Sequence, residues 1–340
     1  MKKRNIIFLT TVTSITICLV VLGFIFQKTA AEKINGFYGL YDVTADEMIA
    51  YVSYEKGVPK IIGKEKDQER ILYEGKENET IVDLAFSPNT KSLYYVQRYE
   101  DKENPNSAIY EIVLETGNVK QIVKESNYII EITFDAESGE YLYYIQSSII
   151  TNYSPLAPEL PHEMDVYRYH VESDAHTQLT HYNAYDMNSL HVDEAAEKLY
   201  IQMFDQSMLE DDISKYESST VYELPLTNQR EVIDVGPKTW EHDITGMGLL
   251  ANHKGMVFSG VNNFEQGDIF EYELFYYEWN APDYERLTEL QGNAERPINR
   301  INDTLYFVVD ENFGSDQPAY HLYRMTMDDK QFEKQILQYE

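Results

Sequence analysis

Six times along the chain, at intervals of 44 to 58 positions, a short apolar segment centres on an aromatic residue. The segments are Ala50-Tyr51-Val52, Tyr94-Tyr95-Val96, Tyr143-Tyr144-Ile145, Leu199-Tyr200-Ile201, Val257-Phe258-Ser259 and Tyr306-Phe307-Val308. A second aromatic column follows the last five at Tyr110, Tyr167, Tyr222, Phe275 and Tyr323. A third closes each unit with Ile71-Leu72, Ile122-Val123, Leu179-Thr180, Val232-Ile233, Leu287-Thr288 and Ile336-Leu337. A unit of about 50 residues that recurs in this way cannot bury both of its faces alone, so it must stack on copies of itself. The segments are rich in β-branched and aromatic residues and are separated by turn chemistry such as Ser87-Pro88-Asn89, Glu115-Thr116-Gly117-Asn118 and Ala281-Pro282-Asp283, so they read as strands. Four strands per unit and six units over 35–338 predict an all-β chain, a six-bladed β-propeller of four-stranded antiparallel blades. A two-sheet sandwich is the alternative, but it has no need of a periodic aromatic column. The columns themselves read as blade-to-blade packing and not as platforms for a ligand.

Ahead of the repeats, Met1-Lys2-Lys3-Arg4 precedes an uncharged, proline-free run from Ile6 to Phe26. A run of that length spans a bilayer as a helix, whereas the apolar core of a cleaved signal is usually about 7–15 residues. The sequence therefore predicts two parts: 1–31, a cytoplasmic start and single transmembrane helix (or an uncleaved signal), and 32–340, the propeller. Lys2, Lys3 and Arg4 hold the start in the cytoplasm, which puts the propeller outside it at the cell membrane; cleavage near Thr29-Ala30-Ala31 would instead release it.

The chain holds 28 basic against 58 acidic residues, a net of -30, and Lys2, Lys3, Arg4 and Lys28 all precede the first acidic one. Such a field repels phosphate backbones, so nucleic acid is excluded as a partner. Cys18 is the only cysteine, which leaves no disulfide, no redox pair and no cysteine-based zinc site. His162-Glu163 opens like a zinc-protease motif, yet Val166 stands where the second histidine belongs. The eight histidines are scattered among the repeats and read as lone exposed side chains. No phosphate loop, dinucleotide fingerprint or calcium loop occurs. These absences point away from an enzyme and from any cofactor, a divalent cation being the one exception left open.

In antiparallel meanders, the first-to-second and third-to-fourth connections lie at one end, and the second-to-third connections and blade links at the other. The first group is short and the second long, including Arg98 to Ser107, Ser147 to Glu163, Asp205 to Ser218, Asn262 to Asp268 and Glu311 to Pro318. Function collects on loops carried by a rigid frame, so one face of the ring is nominated as the contact surface. Three prolines stiffen the segment from Ile149 to Pro161, which is expected to present Tyr153, Leu156 and Leu160 to a partner; folding back over the blade is the alternative. Asp205, Glu210, Asp211 and Asp212 form an acidic rim on the same face, joined by Glu100, Asp101, Glu103, Glu311 and Asp316. That rim suits a basic partner or a divalent cation, or is simply solvated.

From Leu84-Ala85-Phe86-Ser87-Pro88-Asn89 through Leu93-Tyr94-Tyr95 to Ile109-Tyr110-Glu111-Ile112-Val113-Leu114-Glu115-Thr116-Gly117, the chain resembles the WD40-like repeat of TolB-type propellers. A weaker copy runs from Ile132-Thr133-Phe134-Asp135 to Val166-Tyr167-Arg168-Tyr169. The resemblance spans nearly everything after residue 35, although units one, four and six keep only the strand pattern. It implies a fold rather than an activity. TolB resembles a propeller preceded by an α/β domain that engages an envelope partner, and the short distance here between the apolar run and the first unit leaves that partner unimplied. Peptidases with the same repeat append a hydrolase domain, and no Gly-x-Ser-x-Gly elbow is present. The expectation is a membrane-tethered extracytoplasmic module that binds an envelope protein or a small ligand. The alternative is a metal-assisted hydrolase or lyase whose carboxylates, distant in sequence, converge in the central tunnel.

Overall fold

The computed structural model describes residues 34–338 except 78, 100–105, 126, 152–158, 205–218, 228–231, 265–269, 291, 302 and 316–317, together with Thr13 and Thr16. The run read as a membrane anchor lies outside the described residues except for Thr13 and Thr16, which are helical. Among the described residues no helix is long and apolar enough to cross a membrane.

The remainder is strand and turn. Blade one is β1 (Gly36–Val43), β2 (Ile49–Glu55), β3 (Val58–Glu65) and β4 (Gln68–Glu74). Blade two is β5 (Glu79–Phe86), β6 (Ser92–Tyr99), β7 (Asn106–Val113) and β8 (Asn118–Glu125). Blade three is β9 (Ile129–Phe134), β10 (Tyr141–Thr151), β11 (Leu160–His170) and β12 (Ala175–Gln178). Blade four is β13 (Met187–Asp193), β14 (Lys198–Met203), β15 (Thr220–Pro225) and β16 (Ile233–Asp234). Blade five is β17 (Ile244–Leu249), β18 (Gly255–Val261), β19 (Tyr272–Glu278) and β20 (Glu285–Arg286). Blade six is β21 (Asn293–Ile301), β22 (Thr304–Asp310), β23 (Tyr320–Thr326) and β24 (Gln331–Lys334). Each is an antiparallel meander in chain order, and a single parallel pairing of Tyr272 with Asn293 joins the last two into one eight-stranded sheet.

Alternation along the strands sends successive side chains to opposite blade faces, and the six apolar clusters fall one to each junction. Tyr94 packs between blades two and three, whereas its neighbour Tyr95 packs between one and two. The aromatic columns meet in register: Tyr95 pairs with Tyr110, Tyr144 with Tyr167, Phe258 with Phe275 and Phe307 with Tyr323. All four pairs are stacked, with ring centroids 5.2, 5.4, 5.3 and 5.6 Å apart. Tyr51, Tyr95, Tyr144, Phe258 and Phe307 each face the preceding blade. Tyr200 corrects the sequence alignment by one residue. Ile201 takes the equivalent place, paired with Tyr222, and Tyr200 faces blade five, stacked on Trp279 at 5.2 Å. A slip of one position reverses the face because the strand period is two.

Every blade is contiguous in sequence, so among the described residues no strand from one terminus completes the sheet of the other. The junction of blades six and one closes on side chains instead. Phe37, Tyr41, Tyr51 and Ile62 pack against Tyr306, Val308 and Leu322. Arg324 meets Glu47 at 2.9 Å, and Lys64 Nζ donates to the carbonyl of Ile336 at 2.5 Å.

Two of the third-column pairs, Leu179-Thr180 and Leu287-Thr288, sit just past their last strands and explain themselves by chemistry. Both leucines are buried, while each threonine hydroxyl donates to an acid of the third strand and accepts a backbone N–H. Thr180 donates to Asp165 at 2.7 Å and accepts from Val166 at 2.8 Å; Thr288 donates to Glu273 and accepts from Leu274 at 2.9 Å. Thr180→Val keeps the shape but strands these partners in a site with no solvent exposure. The expected cost is about 2 kcal/mol, read from the shift of the chemical-denaturation midpoint.

Candidate functional site in the central channel

The inner strands β1, β5, β9, β13, β17 and β21 each break register against their neighbours where they pass the axis. The shifts fall between Phe37 and Tyr41, Ile81 and Asp83, Asn188 and His191, Ile244 and Gly246, and Glu295 and Ile298, and at the β10 residues facing Glu131. A bulge removes a backbone N–H from the sheet ladder and re-aims the neighbouring side chains. Ser189 and Arg296 take positive φ there, 54° and 51°, an uncommon conformation for residues other than glycine. Gly248 is required by close approach, since a Cβ on it would lie 2.0 Å from the carbonyl oxygen of Pro297.

Amides within the β13 bulge, and others along or just past the inner strands, are taken up by side chains of the adjacent blade. Asp42 accepts from Phe86 at 2.7 Å, and Asp83 from Ile132 at 2.9 Å. Glu131 accepts from Ser189 and Leu190 at 2.7 and 2.8 Å, and the Ser189 hydroxyl accepts from Met247 at 3.0 Å. The direction reverses between blades five and six, where Asn299 accepts from Ala251 at 2.7 Å. At the closing junction the Tyr41 hydroxyl donates to the Arg296 carbonyl at 2.6 Å. A belt of side-chain-to-backbone bonds thus ties the six blades around a cavity of about 300 Å3, lined by all six inner strands.

The cavity concentrates charge. Arg300 approaches Asp42 at 3.5 Å and Arg296 approaches Asp83 at 3.6 Å, with Glu131 and Glu295 also on the wall. Burial pushes Asp83 up to about 6, with the Asp42 carboxylate adding to the shift, and Glu131 up to about 8, with Asp83 adding to it, while Arg296 opposes both. Glu131 is part-exposed as a residue, yet it lines the cavity and desolvation is the largest cause of its shift. Near neutral pH the pair therefore holds one proton. His191 lowers to about 4 through desolvation; it is neutral, and its Nε2–H donates to the carbonyl of Met247 at 3.0 Å.

Tyr153, Leu156, Asp205, Glu210, Asp211 and Asp212 fall outside the described residues. Leu160 is described: it opens β11, is 49% exposed and pairs with Thr151. Its hairpin uses strands of 11 residues. The lone exposed reading of the histidines fails for six of the eight: His170, His242, His253 and His321 are part-buried, the first, third and fourth of these against Glu140, Asp193 and Glu311, and two more sit deeper or in the channel. His162 is buried, its Nδ1 2.8 Å from the Tyr185 carbonyl and its ring stacked on Tyr185, while His191 lines the channel. Among the described residues no three histidine, aspartate or glutamate side chains are grouped as metal ligands. The channel carboxylates did leave a trace in the sequence. Asp83 and Glu131 each interrupt an apolar strand three places before a phenylalanine, in Ile81-Val82-Asp83-Leu84-Ala85-Phe86 and Ile129-Ile130-Glu131-Ile132-Thr133-Phe134.

No family model and no curated protein matches the chain. Its likeness to solved structures is one of shape. TolB from Acinetobacter baumannii aligns at 13% identity and TM-score 0.56 over 92% of this chain and 66% of its own. A nidogen/laminin complex aligns at 12% and 0.56, over 87% of this chain and 92% of that one. An oligogalacturonate lyase in complex with manganese aligns at 9% and 0.56, over 85% and 77%. The scaffold is thus shared by proteins of quite different occupation, and what they have in common with this chain is that it, too, has a TolB-like β-propeller fold.

Proposed function

We propose that the chain is a membrane-tethered extracytoplasmic propeller, a binding module of the cell envelope that holds a small polar ligand in its central channel. The observation that carries this reading is the cavity into which all six blades contribute and where Arg296 and Arg300 face buried carboxylates. Because each guanidinium already has a carboxylate within 3.6 Å, a simple ion gains little there, whereas a hydroxyl-rich or zwitterionic molecule finds donors and acceptors side by side. The tether rests on the apolar run from Ile6 to Phe26 and the basic residues before it. A reporter active only outside the cytoplasm, fused after Glu340, is expected to be active; silence would overturn the orientation.

The ligand is tested by thermal shift of the full chain in detergent against sugars, sugar acids, amino acids, and calcium, manganese or zinc alone. A hit from the organic set at 100 times its Kd is expected to stabilise by about 2.7 kcal/mol, and Arg296→Gln is expected to abolish the shift. Stabilisation by a metal ion alone, with none from the organic set, would sink the reading. A second reading draws on Asp83 and Glu131, raised to about 6 and about 8, so that near neutral pH the channel wall offers one ionised and one protonated carboxyl, as acid–base catalysis requires. Its test is turnover of the organic hit: conversion lost in Glu131→Gln with binding kept would make the chain an enzyme, and the absence of conversion would leave it a binder.

A further inference from the structure

The face bearing the second-to-third connections is unusually aromatic. Among the described residues Tyr38, Phe264, Phe270 and Phe313 are 40%, 53%, 42% and 37% exposed, and all four lie there. Three of them belong to one continuous arc across blades five and six. His242, on the link into β17, stacks on Phe264 at 4.3 Å, and Phe264 stacks on Phe270 at 5.6 Å. Phe270 meets Tyr272 edge-on, and Tyr272 meets Phe313 of the β22–β23 connection at 5.4 Å with planes 83° apart. Stacking of this kind holds the rings in place, yet leaves over a third of each phenylalanine to solvent, where exposed apolar patches usually mark a contact surface.

The exposed charges beside the arc are acidic. Glu241, Asp243 and Glu311 are exposed beside its members, in a chain of net charge -30. Arg286, which reaches Asn262 at the start of the β18–β19 connection, is already within 4.0 Å of Glu273 and 3.6 Å of Glu289. We propose that this arc docks a polypeptide segment carrying lysine or arginine side chains. Phenylalanine faces attract cations, the aliphatic stems of lysine and arginine cover exposed ring surface, and the rim carboxylates complete the charge pairing. A purely apolar partner would strip water from the three carboxylates, which bonds such as Ser219 N–H to Asp243 at 2.8 Å and the Tyr323 hydroxyl to Glu311 at 2.6 Å offset only in part, and anionic lipid headgroups would be repelled by them.

The probe is a labelled octapeptide of alternating lysine and leucine, with a glutamate–leucine counterpart, titrated by anisotropy into the full chain in phosphatidylcholine nanodiscs. Binding of the lysine peptide alone is expected. Phe264→Leu, Phe270→Leu and Phe313→Leu together keep net charge and apolar area but remove the ring quadrupoles, and should weaken binding about tenfold. Glu241→Gln, Asp243→Asn and Glu311→Gln together should weaken it at least as much. A control that removes Glu115, Glu137 and Glu172, exposed on the opposite face, should cost less than twofold. Full affinity in the leucine variant, or an equal loss in the control, overturns the proposal by reducing the attraction to net charge. Anionic vesicles that bind the wild-type chain and lose the leucine variant, while the peptide ignores it, would assign the arc to lipid and overturn it equally. Unchanged thermal midpoints, expected for side chains this exposed, exclude misfolding as the source of any loss.

Discussion

Phe258→Ala is expected to destabilise the chain by about 4 kcal/mol, read as a lowered midpoint of chemical denaturation. The ring has no solvent exposure, stacks on Phe275 at 5.3 Å, and receives Trp240 edge-on at 5.1 Å and Tyr284 at 6.1 Å. Its neighbours cannot close over the void, because Trp240 is packed down on Gly260, where a Cβ would fall 2.2 Å from the indole ring. Truncation therefore leaves a cavity as well as losing apolar burial. Phe264→Ala removes the same side chain from an exposed site and is expected to cost under about 0.5 kcal/mol. Equal effects at the two positions would mean that the junction of blades four and five is not packed as described.

Stability is expected to fall by about 2 kcal/mol between pH 6.5 and 8 in the wild-type chain, and to stay level in Glu131→Gln. The sign follows from proton counts. Folded Glu131 keeps its proton up to about 8, whereas in the unfolded chain the carboxyl has lost it near 4.5, so the folded state binds more protons and weakens as pH rises. Asp83, pushed to about 6, acts in the same direction over a lower range. His191 acts oppositely: lowered to about 4, it binds fewer protons when folded, and its contribution, complete above about 6.5, is lost as pH falls toward 4. Between pH 6.5 and 8 the Glu131 contribution is the largest of the three, and comparison with Glu131→Gln isolates it. Glutamine retains an acceptor for one of the two amides, so the variant should be about 1 kcal/mol weaker at pH 6.5 and close to or above wild type at pH 8. A variant whose slope parallels the wild type would show that Glu131 is ionised throughout.

These two experiments probe layers that were unequally visible in the sequence. Phe258 stood in a column that marks its strand, its blade and its buried face, because a sheet edge repeated six times imposes the same packing demand each time. Glu131 belongs to the same repeat but carries no comparable signal. An acid in an apolar strand reads as an exposed position until bulges turn the inner strands and bring Asp42, Asp83, Glu295, Arg296 and Arg300 to one cavity. The aromatic arc was hidden for a related reason: Phe264, Phe270 and Phe313 come from separate connections and only their contacts make them one surface. Tyr200 shows the limit of the columns themselves, since one residue of misalignment moved it to the wrong face.

By itself the sequence determined the number of repeats, the inner strands within them, the acidic character and the burial of the first aromatic column, but not of the third column, whose Ile71, Val232, Ile233 and Ile336 are exposed. All of these follow from side-chain periodicity and turn chemistry, which act over a few residues. Tertiary structure alone decided which polar groups meet across the axis, which carboxylates hold a proton and which loops share their aromatic rings. Those properties depend on distances between residues up to 258 positions apart, as in Arg300 and Asp42, and on the water excluded between them. No local pattern encodes either.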